Sequence, residues 1–219
     1  MIITIDGPAG SGKSTTADIL AERLGFIHFN SGALYRGITA HLLSKNFDIK
    51  SLSELSPVPE FKLNVEMINE IQHVFVDNID YTPVLRDNKI STLVAYVAAN
   101  KFCRAKVDEC QKRFCSSNNV VMEGRDLGSF VFPNAEVKFY LDCSVEERAN
   151  RRFNEEKHKN SSVSLEEIKS QIIERDNADR NRTYAPLVIP QNAVVIDSTN
   201  LNVQEVVEKM LQLIKTQIN

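Results

Sequence analysis

The chain has 219 residues, enough for one domain with a sizeable core. With 42% hydrophobic residues, 25% charged residues and a formal net charge of −3, it has the balance of a soluble globular protein. It lacks the basic excess that would suit a nucleic-acid backbone or an anionic membrane.

No run reaches the ~18 uncharged apolar residues a membrane helix needs. The opening MIITIDGPAG has no basic start of the kind a signal peptide carries, and Asp6 interrupts it, so it reads as a buried strand of a cytoplasmic enzyme. Cys103, Cys110, Cys115 and Cys143 form no CxxC pair and no zinc spacing with histidine, which makes them reduced thiols.

Apolar runs alternate with helical stretches, as a parallel α/β sheet requires. Residues 2–5 are a β-branched strand leading into a Gly-rich loop. Residues 13–24 carry Ile19, Leu20 and Leu24 at helical spacing, with Gly25 as C-cap. A short strand at 26–29 follows, then a helix at 32–44 capped by Ser31. Serine and proline mark 46–59 as a loop.

From 60 to 86 the apolar period changes to two, with turn candidates at Asn69-Glu70 and Asp77-Asn78. This predicts a small antiparallel insert of two or three strands. Helices at 88–99 and 101–116 come next, then strands at 120–122 and 137–141. Helices at 144–157 and 165–182 surround a polar break at 158–164. A last strand at 193–196 and a helix at 202–218 complete the chain.

The chemistry begins with Gly7-Pro8-Ala9-Gly10-Ser11-Gly12-Lys13-Ser14-Thr15, which matches GxxxxGK[ST] at every fixed position. Glycines at 7, 10 and 12 let backbone N–H groups turn towards phosphate oxygens without Cβ clashes. The helix that starts near Lys13 aims its positive end at the same anion. Lys13 is placed to reach the β- and γ-phosphates of ATP, and the Ser14 hydroxyl to ligate Mg²⁺. A chance match in a chain of this length is an event on the order of one per cent, given Gly at about 7% of positions. The guanine-reading NKxD and the DxxG switch of GTPases are both absent.

Arginines and aspartates supply a second constellation. Arg36 lies one turn into the helix opened by Ser31-Gly32. Arg125 and Asp126 follow the strand at 120–122, where open α/β sheets place ligands. Arg175, Asp179 and Arg182 stand at i, i+4 and i+7, within about 60° on one helix face at 100° per residue. An i,i+4 pair alone is more often a surface ion pair. Beside a phosphate loop, a binding role is the better reading.

Five segments, DGPAGSGKST, SGALYR, EGRDLGSFVFP, ERDNADRNRTYAPL and VVIDST, closely resemble those of bacterial cytidylate kinases in order and spacing over nearly the whole chain. The resemblance implies one P-loop kinase domain over 1–219, a three-layer α/β sandwich on a five-stranded parallel sheet. It also implies a small antiparallel CMP-binding insert at 60–86 and a short helical lid at 148–164, with Arg148, Arg151 and Arg152 as lid arginines acting on the transferred group.

By the same resemblance, Ser31, Tyr35, Arg36, Arg104, Arg125, Asp126, Arg175, Asp179 and Arg182 hold CMP or dCMP, Arg36 being directed at its phosphate. Lys13 and Arg125 belong to the catalytic set. The expected reaction transfers phosphate from ATP, with Mg²⁺, in a monomer that binds neither nucleic acid nor membrane.

Two positions depart from the family pattern: Asn30 stands where Asp is usual, and Ala95 where a serine often helps hold the cytidine. The alternatives are another small P-loop kinase, acting on shikimate, gluconate or dephospho-coenzyme A, and a regulatory nucleotide-binding module. The Arg-Asp-Leu-Gly and Arg-Asn-Arg segments weigh against the first.

Overall fold

A computed structural model of the chain describes residues 1–157 and 163–218. Among these, no helix is long and apolar enough to cross a membrane. The chain divides into two compact units, one of residues 1–26 and 121–219, the other of residues 27–120.

The first unit is built on β1 (Ile2–Asp6), β6 (Val120–Gly124), β7 (Val137–Asp142) and β8 (Val194–Asp197). These strands read as near-continuous apolar runs because both faces of a parallel sheet are covered. Ile3 and Ile5 of β1 pair with Val137 and Phe139 of β7, and Phe139 and Leu141 with Val194 and Ile196 of β8. With β2 (Ile27–Asn30) the five-stranded order is β2-β6-β1-β7-β8. The β1–β7 and β7–β8 registers carry β1 to its end at Asp6 and bring Asp142 opposite Asp197.

Helices α1 (Lys13–Leu24) and α7 (Val203–Ile218) contribute Ala17, Leu20, Val207 and Met210 to one core with Ile3, Ile5, Phe139 and Leu141, all fully buried. The end of α1 matches expectation. Gly25 sits at φ 67°, its N–H reaching Glu22 O and the N–H of Phe26 reaching Ala21 O, so two terminal carbonyls are satisfied. Space does not require glycine there, since a Cβ would meet nothing within 4 Å; the left-handed backbone does.

Helices α5 (Val145–Lys157) and α6 (Leu165–Asn181) pack through a smaller cluster of Ala149, Ile168 and Ile172. Ser164 and Glu167 close a capping box at the start of α6. Of the expected lid at 148–164, residues 158–162 lie outside the described residues.

The second unit holds α2 (Ser31–Ser44), α3 (Asn88–Ala99), α4 (Lys101–Cys115) and an antiparallel sheet of β3 (Leu63–Ile68), β4 (Ile71–Val76) and β5 (Ile79–Asp80). Val65, Val74 and Val76 are buried while Asn64 and Glu66 are exposed, which is the period of two read from the sequence. Both hairpin turns use paired left-handed residues, Asn69-Glu70 at φ 50° and 65° and Asp77-Asn78 at 49° and 63°. That backbone twist matches the strands it joins. Gly37 of α2 packs so tightly on β4 that a Cβ would stand 2.5 Å from Val74 Cγ1.

One boundary is corrected. Asn30, not Ser31, caps α2: its side chain accepts from the Ala33 N–H at 3.0 Å. Either residue type can cap. Ser31 lies inside the helix, where its buried hydroxyl donates to Gln111 Oε1 at 2.9 Å.

Candidate functional site

The phosphate loop leaves β1 through three glycines in left-handed or neighbouring conformations, Gly7 at φ 151°, Gly10 at 79° and Gly12 at 90°. At Gly7 there is also no room, because a Cβ would run into the carbonyl oxygen of Leu141. Gly12 is the N-cap of α1, whose free N–H groups and dipole therefore open at the loop.

Lys13 is 4% exposed, and its ammonium donates to Pro8 O and, at 3.2 Å, to Ser11 Oγ. Burial, then the charge of Arg125, pushes its pKa well below the usual lysine value. A phosphate anion held beside it would favour the charged ammonium. Ser14 and Thr15 are exposed on the first turn of α1.

At the end of β1, Asp6 is fully buried and accepts from two backbone N–H groups, Leu127 at 2.9 Å and Gly128 at 2.7 Å. Burial nevertheless raises its carboxyl from 3.8 to about 6. This anchors the π-helical turn Leu127–Val131 directly after Asp126.

Four of the predicted substrate residues meet in the same unit. Arg125 Nε donates to Asp179 Oδ2 at 3.0 Å, and Arg182 Nη2 to Asp126 Oδ1 at 2.9 Å. Arg182 Nη1 stands 3.9 Å from Asp179 Oδ1 and closes the chain of pairs. Burial would raise the Asp179 carboxyl, but Arg125, Arg175 and Arg182 outweigh it and hold it below its ordinary value. Arg175 thus acts on the same cluster, and on Lys13 as well. The helical spacing identified this face; its partnership with residues 125 and 126, more than fifty positions away, required the fold.

The lid arginines are placed differently from one another. Arg151 donates from Nε to Glu147 and from Nη2 to Ser198 O, and its Nη1 lies 3.6 Å from where a Gly12 Cβ would stand. Arg152 is half-buried on α5. Arg148, expected on a closing lid, is instead 2% exposed and donates to Cys143 O, Ala9 O and Asp176.

In the second unit, Ser31 and Tyr35 are buried on α2 and Arg36 is half-buried beside them. Arg104 of α4 is 1% exposed, with its guanidinium carbon 5.6 Å from the Tyr35 ring centroid and Nη1 donating to Ala98 O. Gln72 of β4 pairs with the backbone of Asn30 in both directions, accepting from its N–H at 2.7 Å and donating to its carbonyl at 3.1 Å. Ala95 lies on α3 and is partly buried.

Sequence reading missed Asp6, Gln72 and Asp176. The only signal for Asp6 was an acid closing an apolar run at the edge of the glycine loop. Asp176 was carried only inside the segment ERDNADRNRTYAPL with nothing to mark its role, and Gln72 gave no signal, because each acts on groups remote in sequence.

A parallel α/β sheet with a phosphate loop after its first strand defines a P-loop kinase fold. Two solved structures have it at low sequence identity: TT1252 from Thermus thermophilus, with TM-score 0.53, 16% identity and coverage of 100% of this chain and 98% of that one, and an uncharacterized protein from Eubacterium ventriosum, with TM-score 0.50, 13% identity and 98% of both chains. At the level of sequence, residues 3–216 match the family model for cytidylate kinase. The cytidylate kinase of Listeria monocytogenes serotype 4a is 40% identical over 99% of this chain and 97% of its own. That of Alkaliphilus oremlandii is 39% identical over 97% of both. The chain belongs to the cytidylate kinase family, whose members are phosphotransferases.

Proposed function

We propose that this enzyme transfers the γ-phosphate of ATP to CMP or dCMP, giving ADP and CDP or dCDP, as a cytoplasmic monomer. The observation that carries the reading is the presence of a complete phosphate loop and the paired Arg125–Asp179 and Arg182–Asp126 groups in one chain whose residues 3–216 match the family.

The attacking oxygen belongs to a phosphate already ionised at neutral pH, so no protein base is needed. Catalysis is alignment and neutralisation of spreading negative charge. Residues 7–15 cradle the ATP phosphates, with Lys13 on the β- and γ-oxygens, and Arg125, Arg151 and Arg152 neutralise charge around the transferring group. Arg36 is directed at the CMP phosphate, and Arg175 belongs to the CMP-binding set.

The Asp126 carboxylate accepts from the cytosine N4 amine while Arg104 or Arg182 donates to the ring. Ser31, Tyr35 and Asp179 complete the nucleotide contacts. Uracil offers an acceptor where the carboxylate also accepts. An unmatched buried polar group costs roughly 1–3 kcal/mol, so CMP is preferred over UMP by about tenfold or more.

Among the described residues no group of three or more metal-ligating side chains occurs. That suits Mg²⁺, which keeps several waters and is held by few protein ligands plus substrate phosphates. The exposed Ser14 hydroxyl, next to Lys13, would be the protein ligand, and the metal would supply further neutralisation of the phosphate oxygens.

The test is ADP release with ATP and Mg²⁺ against CMP, dCMP, UMP, AMP, GMP and shikimate, with folded Lys13→Met as control. Turnover with CMP and dCMP well above UMP, abolished in Lys13→Met, is expected. Turnover only with another acceptor overturns the base-recognition roles. Near-normal kcat in Lys13→Met overturns the phosphate-loop assignment. ATP binding without transfer to any acceptor points to a regulatory module instead.

A further inference from the structure

Asp176 has no part in the roles assigned above, yet it is 4% exposed and makes an ion pair of 2.7 Å with the equally hidden Arg148. Both residues then reach the backbone of a single phosphate-loop residue. Arg148 Nη1 donates to Ala9 O at 2.9 Å, and the Ala9 N–H points at Asp176 Oδ1 at 3.4 Å. The third guanidinium donor, Nε, goes to Cys143 O at 2.9 Å, just beyond β7. A Cβ at Gly10 would stand 3.5 Å from Arg148 Cβ, so helix α5 and the loop touch along this edge.

A buried ion pair is a poor device for stability alone, since apolar residues of the same volume commonly serve as well or better. What this pair does provide is direction. A guanidinium fixes its donors in one plane, and here it spends them on the strand end, the loop and the aspartate, which a lysine could not do together. Being jointly neutral, the pair holds the loop without adding charge to a site where Lys13 already supplies it. Asp176 also lies between Arg175 and Asp179 on α6, so the same contact fixes that helix against the loop.

We propose that Arg148 and Asp176 are positioning residues: they clamp both backbone groups of Ala9 and thereby hold the phosphate loop in the curvature that receives ATP. Arg148 therefore acts through the loop rather than by touching the transferred phosphate. The inference rests on reading residues 7–15 as the ATP site.

The experiment compares Asp176→Asn, Arg148→Lys and the double variant Arg148→Met with Asp176→Leu, which removes both charges at similar volume and is expected to fold. KM for ATP, KM for CMP and kcat are measured well below each melting midpoint. A displaced loop raises KM for ATP by about tenfold or more while KM for CMP stays within about twofold, and Arg148→Lys, lacking the fork, does not restore it. A pair that only supports the fold lowers the active fraction and leaves both KM values alone. A folded double variant with wild-type KM for ATP overturns the proposal, as does failure of every variant to fold. Loss of activity in Lys13→Met beside normal clamp variants rejects the clamp only. Retained activity in Lys13→Met rejects the ATP-site reading itself.

Discussion

Replacing Asp6 by Asn tests the balance of forces at the point where β1 enters the phosphate loop. The carboxyl is fully buried, accepts two backbone hydrogen bonds and feels the charges of Asp126, which raises its pKa, and Lys13, which lowers it. The hydrogen bonds favour the anion, burial disfavours it, and burial prevails, lifting the pKa from 3.8 to about 6. The folded protein therefore binds a proton here more readily than the unfolded chain does. The stabilisation this provides is fully present below pH 3.8 and is lost as pH rises through about 6. Two units at ~1.4 kcal/mol each amount to about 3 kcal/mol, of which about 2 kcal/mol disappears between pH 4.5 and 8. Urea unfolding of the wild type and Asp6→Asn, followed by circular dichroism without nucleotide, measures it, because subtracting the variant removes the titrations that are not coupled to Asp6. The expected result is a wild-type advantage that shrinks by about 2 kcal/mol over that range. A difference that stays flat, or grows with pH, would show that the Leu127 and Gly128 N–H groups hold the anion more firmly than burial expels it.

Gln72→Leu leaves the Asn30 N–H and carbonyl without their side-chain partner and loosens the start of α2; an unmet pair of this kind costs roughly 1–3 kcal/mol. Steady-state kinetics should show KM for CMP raised several-fold with KM for ATP unchanged. Gly37→Ala, normally favourable in a helix, forces a Cβ to 2.5 Å from Val74 Cγ1 and should lower stability by about 1–3 kcal/mol in thermal unfolding. Adding Val74→Ala should recover part of the loss. Burial pushes the thiols of Cys103, Cys110 and Cys115 up to about 12, 11 and 12. Alkylation of these three at pH 8 should be at least about a hundredfold slower in the native protein than in urea, and rapid native labelling would contradict their buried placement.

Features whose cause is local were legible in the sequence. The phosphate loop, Gly25 as the stop of α1, the two left-handed hairpin turns and the alternation of β3 and β4 each depend on residues within a few positions. Even the Arg175, Asp179 and Arg182 face follows from helical spacing. Asn30 and Ser31 show the first limit: adjacent residues with equal capping chemistry are separated only by Gln111, which claims the serine hydroxyl. Arg148 and Asp176 show the second. A charged side chain reads as solvent-facing unless its burial partner is known, and these two find each other across 28 positions and Ala9 across 139 and 167.

The cross-paired arginines and aspartates also bear on how a nucleotide arrives. Arg125, Arg175 and Arg182 set against Asp126 and Asp179 leave these five side chains with one positive charge in excess. One excess charge is screened beyond a Debye length of about 8 Å at physiological salt, so this cluster by itself adds little long-range pull on an anion. On the binding role proposed for these residues, selection among nucleotides falls to the exchange of partners after contact, and so to residence time.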